Sequence, residues 1–169
     1  MDLFDAIARR RSIRRYKPDP VNDHLLHIIL RAGCAAPSAG NEQPWHFLVI
    51  RSRNTLVSLA ESHPYADMLR EAPLAILLCA DMGRVKHKDY WPQDCAAAAE
   101  NMLLAAHGVG LGSVWVGVYP REARLAEVRR VISLPDTIIP FALLPVGLPA
   151  EEKAPEDRFD LQRVHLEQW

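Results

Sequence analysis

The chain reads as an α+β or mixed α/β domain, and three observations predict it. Residues 74–80 form an unbroken apolar run of the length and character of a central strand. Residues 92–107 consist mostly of Ala, Leu and Met, strong helix formers. A helix apolar on most of its faces belongs in a core or an interface rather than on a surface. Around these two stretches, strand-like segments at 45–50, 113–119 and 138–148 interleave with five or six helical patterns. The spacing is uneven, unlike the strict alternation of a doubly wound parallel sheet.

A chain of 169 residues is one domain by length and long enough to bury a real core. Its formal charge of -1 argues against general nucleic-acid affinity. No apolar run reaches the length needed to span a bilayer, and the N-terminus carries no secretory h-region. Cys34, Cys79 and Cys95 lie in apolar surroundings without CxxC spacing, which predicts buried, reduced thiols in a soluble cytoplasmic protein.

In chain order, residues 2–11 carry Leu3, Phe4, Ile7 and Ala8 at helical spacing, with Asp2 as N-cap. Lys17-Pro18-Asp19-Pro20 forces an extended connection. Asn22 caps a second helix with Leu25, Leu26, Ile28 and Ile29 on its buried side. Residues 35–44 are a loop of small and turn-forming residues before the strand at 45–50. Asn54 opens a helix through Ala60, which His63-Pro64 ends, and a further turn or two follows at 65–71. Residues 81–90 are polar and irregular. Pro92 suits a first helical position, and Gly108 and Gly110 are stop signals after the long helix. The small Ala face of that helix lets a second helix approach closely, making it the candidate spine of the fold and of a dimer. The segment 113–119 reads as one buried strand in which Gly117 offers a backbone N–H with no side chain in a ligand's way. Pro120 begins a helix whose Arg121, Arg124, Arg129 and Arg130 read as its solvated side. Pro140 and Pro145 suit an edge or irregular strand at 138–148. Residues 149–169 form a polar tail ending in Val164, Leu166 and Trp169, which needs a surface to dock on.

Two stretches stand out chemically. Five arginines crowd residues 9–15 beside Ser12. So dense a positive cluster is relieved by a bound anion, and the planar fork of Arg suits phosphate. The plainer reading is a solvated helix end, where cations favour the C-terminal dipole. In residues 37–45, PSAGNEQPW, small residues permit close approach to a flat ligand, while Ser38, Asn41 and Gln43 can donate and accept along its edge. The plainer reading is a connecting loop. Gly108-Val109-Gly110-Leu111-Gly112 follows a helix and precedes a strand, the reverse of a dinucleotide fingerprint. No HExxH-like metal spacing and no G-x-S-x-G elbow is present. His107 reads as a satisfied core or cap histidine and Cys95 as a small core residue.

Three of these pieces together resemble the FMN-dependent nitroreductase family in its short single-domain form. Arg10-Arg11-Ser12-Ile13-Arg14 is similar to the family's RRSxR phosphate motif. Residues 37–45 are similar to its PSxxNxQPW loop, and residues 94–117 to its long interface helix followed by GLGSVWxG. The resemblance covers nearly the whole chain, with the motifs in order. It implies an α+β domain over 1–169 with a central, mainly antiparallel sheet flanked by helices. It also implies an intertwined homodimer, in which about 149–169 wraps the partner subunit, with FMN at the interface.

By that resemblance Arg10, Arg11 and Ser12 hold the phosphate, Arg14 reaches N1 and O2 of the flavin, Pro37, Ser38, Ala39 and Asn41 come from the partner chain, and Gln43 is a further cofactor-binding residue. Trp115, Val116 and Gly117 lie against the ring, with the Gly117 N–H at N5, and Arg158 matches best the basic residue that the family places on the phosphate near its C-terminus, with Lys153 as the alternative. The implied chemistry is two-electron, ping-pong transfer from NADH or NADPH through flavin to nitroaromatics, quinones or related small acceptors, with no catalytic side chain. Residues 63–68 and 81–91 are the candidate segments over the exposed flavin face, with Tyr65, Tyr90 and Trp91 as stacking walls; the plainer reading is ordinary surface packing. The competing readings are a specialised flavin chemistry, such as reductive dehalogenation or flavin breakdown, and a non-enzymatic flavin- or anion-binding dimer.

Overall fold

The computed structural model describes residues 1–169. Two antiparallel strands form the centre of its sheet: β2 (Leu74–Asp81) and β5 (Ile138–Gly147). β1 (Trp45–Ile50) pairs with the far side of β2. The short β3 (Gly112–Ser113) and β4 (Val116–Gly117) both pair with β5, so the sheet runs β1-β2-β5 with β3 and β4 alongside, antiparallel throughout. The α+β class and the antiparallel sheet are as expected.

The continuous apolar run of β2 follows from burial on both faces, since successive residues of a strand point to opposite sides. Ala75, Leu77 and Cys79 meet Leu56, Leu59 and Val128 from α3 (Arg53–Ser62) and α5 (Glu122–Val131). Leu74 and Ile76 meet Ile29 of α2 (Asp23–Cys34) and Met102 and Leu103 of α4 (Trp91–Gly108), while Leu78 and Ala80 meet Cys95, Ala98 and Ala99 of α4. The helix read as the spine is therefore central, and Asn101 Nδ2 donates to the Ala32 carbonyl of α2 at 3.1 Å. Asp2, Asn22 and Ser52 cap α1 (Leu3–Arg9), α2 and α3 through their side-chain oxygens. The third helix starts just before Asn54, and α5 starts at Glu122 rather than Pro120.

Two strand expectations change. β5 is central rather than an edge, while the irregular strand expected there is observed. It tolerates Pro145 because the pairs Ser113↔Val146 and Val116↔Leu143 leave a gap in the outer ladder opposite it. Pro140 lies where the register against β2 shifts, between Leu78 and Cys79. The same gap splits the expected single strand at 113–119 into β3 and β4, because Pro145 has no N–H to offer Val114 or Trp115. Cys34, expected buried, is exposed at the end of α2, while Cys79 and Cys95 are buried. Burial pushes both of the latter thiols up to about 12, so they are inert core groups.

The arginine-rich segment is laid along the outer edge of this sheet. Ser12 bridges Ser113 in parallel, Ile13 N–H donates to the Ser113 carbonyl at 3.0 Å, and Tyr16 bridges Pro149. The Tyr16 hydroxyl donates to the Ile13 carbonyl at 2.6 Å. Residues 12–17 are thus zipped between β3 and the chain leaving β5. On α1 only Ala6 is buried; Leu3, Phe4 and Ile7 are exposed, as are Phe159, Leu161, Leu166 and Trp169 of the tail. No helix is long and apolar enough to cross a membrane.

Candidate flavin site

A cavity of about 520 Å³ opens at β4, lined by Arg14, Val114, Trp115, Val116, Gly117 and, across from them, His63, Tyr65, Met68 and Arg124. Arg14 reaches it because its own backbone is fixed: Ile13 is bonded to β3, and the Arg14 N–H donates to the Glu151 carboxylate. That N–H, followed by the nearby Lys153 ammonium, holds the Glu151 carboxyl below the ordinary carboxylate range. Trp115 packs edge-on to Phe141, ring centroids 5.6 Å apart, giving the cavity an apolar floor.

Gly117 is the pivot of the cavity. Its carbonyl accepts from Arg124 Nη1 at 2.9 Å and is 2.9 Å from His63 Nε2. In an extended strand a residue's N–H and C=O point to the same side. With the carbonyl turned off the ladder toward His63 and Arg124, the Gly117 N–H also faces away from β5. A Cβ built on Gly117 would meet only Trp115 Nε1, at 3.8 Å. The chain itself therefore does not require glycine here for space, and the open backbone surface suits close approach of a flat ligand.

His63 is 3% exposed, and its tautomer follows from its neighbours. Nδ1 accepts the Tyr65 N–H at 3.1 Å, so the proton of the neutral ring sits on Nε2 and is donated to Gly117. Burial, reinforced by the Arg124 charge against the opposing Gly117 bond, holds the His63 pKa below its ordinary value. The folded state thus resists a proton that the unfolded chain takes up near pH 6.5. Its contribution to stability is present above that pH and lost below it. Melting temperature is expected to fall between pH 7.5 and 5.5, with a shallower fall in His63→Gln. Equal slopes in the two proteins would show that His63 is not the titrating group.

The other predicted residues divide into two groups. Around Ser12, Arg10 at the end of α1 lies 3.3 Å from Glu100 of α4, with its Nε buried but not aligned for a hydrogen bond. Arg11 is already engaged: it donates to the carbonyls of Ala154 (2.9 Å), Glu156 (3.3 Å), Arg10 (2.6 Å) and Ala8 (3.2 Å), stapling α1 to the tail. That leaves one of its five N–H groups for an anion. Lys153 Nζ donates to the Ser12 carbonyl at 2.6 Å, whereas Arg158 is turned to Glu156 at 2.8 Å. His107, at the end of α4, is not the satisfied histidine expected. Its buried Nε2 has no partner, and burial, then the charges of Arg10, Arg9 and Arg11, lowers its pKa.

The second group, residues 37–43, lines no part of the cavity in its own chain. The loop is held rigidly nonetheless. Ala39 N–H donates to buried Asp94 at the start of α4 (2.9 Å), and Gln43 donates to Ser38 Oγ from its N–H (3.0 Å) and to Asn41 Oδ1 from its amide (2.9 Å). Gly40, Asn41 and Gln43 take left-handed backbone conformations. Among the aromatic candidates, Tyr65 lines the cavity, its ring 5.4 Å under the Arg124 guanidinium. Trp91 is corrected: it is 5% exposed and packs against Tyr119 (4.6 Å between centroids) and Phe141, so its face is not free to stack on a substrate. Tyr90 is exposed beside His87, outside the cavity. Arg124, read as solvated helix surface, lines the cavity, and His63, at the start of the segment 63–68 expected over the open face, bonds the Gly117 carbonyl; neither pairing has a local sequence mark. No group of three or more His, Cys, Asp or Glu is placed to hold a metal.

Known proteins resemble this chain in sequence and in fold. The model of the nitroreductase family matches residues 7–64 and 57–148. A protein of Methanothermobacter thermautotrophicus, provisionally named NADH dehydrogenase/NAD(P)H nitroreductase, is 48% identical over all of this chain and 88% of its own length. A solved structure from Clostridium acetobutylicum, provisionally named NADH oxidase, superposes with a TM-score of 0.95 at 44% identity, covering 98% of this chain and 100% of that one. A provisionally named nitroreductase from Desulfovibrio desulfuricans, solved in complex with FMN, superposes with a TM-score of 0.86 at 32% identity, covering 100% and 98%. With its sheet order, its cavity and its sequence all pointing the same way, the chain belongs to the nitroreductase family.

Proposed function

We propose that the chain is an FMN-dependent NAD(P)H oxidoreductase that reduces nitroaromatics, quinones or related small acceptors as a homodimer. The observation that carries this reading is that one cavity sets a guanidinium, Arg14, and an off-ladder glycine N–H, Gly117, beside the apolar surface of Trp115 and Val116. Those groups fit a flat heteroaromatic that gains negative charge along one edge. When bound, FMN supplies the hydride-accepting and electron-passing chemistry that the side chains lack. Arg14 would stabilise negative charge gained by the ring, and the Gly117 N–H would offer it a hydrogen bond. Trp115 and Val116 would supply the apolar contact that excludes water from the ring, and Tyr65 would border it.

Arg10 and Ser12 hold the phosphate. Lys153, already seated on the Ser12 carbonyl, is better placed than Arg158 to add a second cation, and Arg11 keeps that segment folded against the tail. Pro37, Ser38, Ala39, Asn41 and Gln43 reach the flavin of a second copy, since in their own chain they stand outside the cavity. The exposed apolar residues of α1 and of the tail give that second copy a surface to cover. The free thiols suit a reducing compartment, the cytoplasm.

Anaerobic mixing of the purified, flavin-loaded protein with NADH and NADPH tests the reading. Bleaching of the flavin by either nucleotide is expected, followed by recovery of colour on adding a nitroaromatic or a quinone. Retained flavin that neither nucleotide bleaches would leave a binding protein instead. Arg14→Ala is expected to keep its FMN but lower the flavin midpoint potential. Loss of a solvent-facing cation is worth about 1–2 kcal/mol, or about 20–45 mV for a two-electron couple. An unchanged potential would remove Arg14 from that role.

A further inference from the structure

We propose that His63 and Arg124 are positioning residues that lock Gly117 through its carbonyl, and that they tie the cavity wall at Tyr65 to the strand that meets the flavin. The proposal rests on the FMN reading of this cavity and adds two residues that the sequence motifs do not contain.

A glycine facing a ligand has the widest backbone freedom of any residue, so something must hold its direction. β4 is only two residues long and follows the gap opposite Pro145; the ladder holds the neighbours of Gly117, Val116 opposite Leu143 and the Val118 N–H on the Phe141 carbonyl at 3.1 Å, while the Gly117 carbonyl is turned off it. Two donors from distant parts of the chain converge on the Gly117 oxygen instead. One is His63 Nε2, just past α3, at 2.9 Å; the other is Arg124 Nη1, on α5, at 2.9 Å. A carbonyl has two lone pairs, and both are taken.

Each donor is itself held. The Tyr65 N–H at Nδ1 sets the His63 tautomer, and the Arg124 guanidinium lies over the Tyr65 ring, 5.4 Å from its centroid. Tyr65, His63, Gly117 and Arg124 therefore form one closed circuit, and every member lines the cavity. A purely structural cap needs one donor on a loop carbonyl. Two donors on the residue that faces the ligand, both bordering the ligand's cavity, fit control of where its N–H points.

The test uses full-length wild type, His63→Ala, His63→Gln, Arg124→Met and the His63→Ala/Arg124→Met double variant. In flavin-free protein, the backbone ¹⁵N order parameter of Gly117 is expected to fall from a rigid value of about 0.85 to below about 0.6 in the double variant. In flavin-loaded protein, the double variant is expected to bleach with NADH about 100-fold more slowly, with an altered flavin absorbance band. His63→Gln, whose amide N–H can replace Nε2–H, is expected to recover most of the loss seen in His63→Ala.

A rigid Gly117 together with a wild-type bleaching rate in the double variant would overturn the proposal, as would His63→Gln behaving like His63→Ala. If the alanine variants do not fold, Arg124→Met alone decides on the same two readouts, because Arg124 is only half-buried on α5. If wild type takes up no FMN, the functional reading fails, and the order parameter still reports whether the circuit holds Gly117.

Discussion

Arg10→Glu is expected to purify colourless, with FMN affinity reduced about 100-fold or more, because a hydrogen bond to a charged group is worth about 1.5–3 kcal/mol and the reversal adds repulsion. Arg10 stands where α1 ends, 3.3 Å from Glu100 and about a quarter exposed, with side-chain relative exposure of 24%. No hydrogen bond within the chain takes its terminal nitrogens, so its fork is free to receive phosphate oxygens, unlike that of Arg11. A glutamate here would face Glu100 and the phosphate together. Glu100→Gln separates the two effects. It removes the ion pair but leaves the Arg10 charge, so FMN affinity is expected to hold or to tighten while melting changes little. Flavin content per chain and a fluorescence titration with FMN read both. A fully yellow Arg10→Glu protein would remove Arg10 from the phosphate site, and a colourless Glu100→Gln protein would show that the ion pair, not the phosphate contact, holds the flavin.

What could be read from the sequence was whatever a single segment encodes by itself. β2 was legible because burial on both faces leaves no polar residue between Leu74 and Ala80, and α4 because small and apolar side chains run around most of its circumference. The cluster from Arg9 to Arg15 and the PSAGNEQPW loop were legible as chemistry because their residue types are costly to crowd together without a ligand or a fixed turn. Partnership between distant segments was not legible. Pro140 and Pro145 look like edge-strand residues locally. Only the pairing map shows that one lies at a bulge and the other opposite a gap in the ladder. Trp91 carries no local sign that Tyr119 and Phe141 cover it. Arg124 is one of four arginines in and around α5, and what distinguishes it is the Gly117 oxygen, seven residues earlier in the chain and turned toward it by the fold. The resemblance implies two groups of flavin-site residues, far apart along the chain. Within one chain, however, the cavity contains only the half built from Arg14 and residues 114–117.

Gly112→Ala is expected to damage the flavin site without touching any residue that meets the flavin. A Cβ built at Gly112 falls 2.7 Å from Ile13 Cγ2 and 2.9 Å from Ile13 Cβ, closer than real Cβ contacts come. Ile13 cannot easily yield. It is packed with Tyr16 and Ala72, its N–H is bonded to Ser113, and its carbonyl accepts the Tyr16 hydroxyl. Relief requires the segment from Ser12 to Arg14 to move off β3, carrying the Ser12 and Arg14 side chains with it. Overpacking of this kind costs about 1–3 kcal/mol, or about 2–12 °C in melting temperature for a chain of this size. FMN affinity is expected to fall at least about 10-fold, since the donors in the cavity and at the phosphate both shift. Gly108→Ala is the control: its Cβ would meet nothing within 4 Å, and stability is expected to be unchanged or slightly raised. Pairing Gly112→Ala with Ile13→Ala should return part of the lost FMN affinity even though Ile13→Ala alone leaves a cavity, because the two side chains compete for one volume. A Gly112→Ala protein that melts with wild type and keeps its flavin would mean that Ser12 and Arg14 are positioned by the Glu151 and Tyr16 contacts alone, not by their seat on β3.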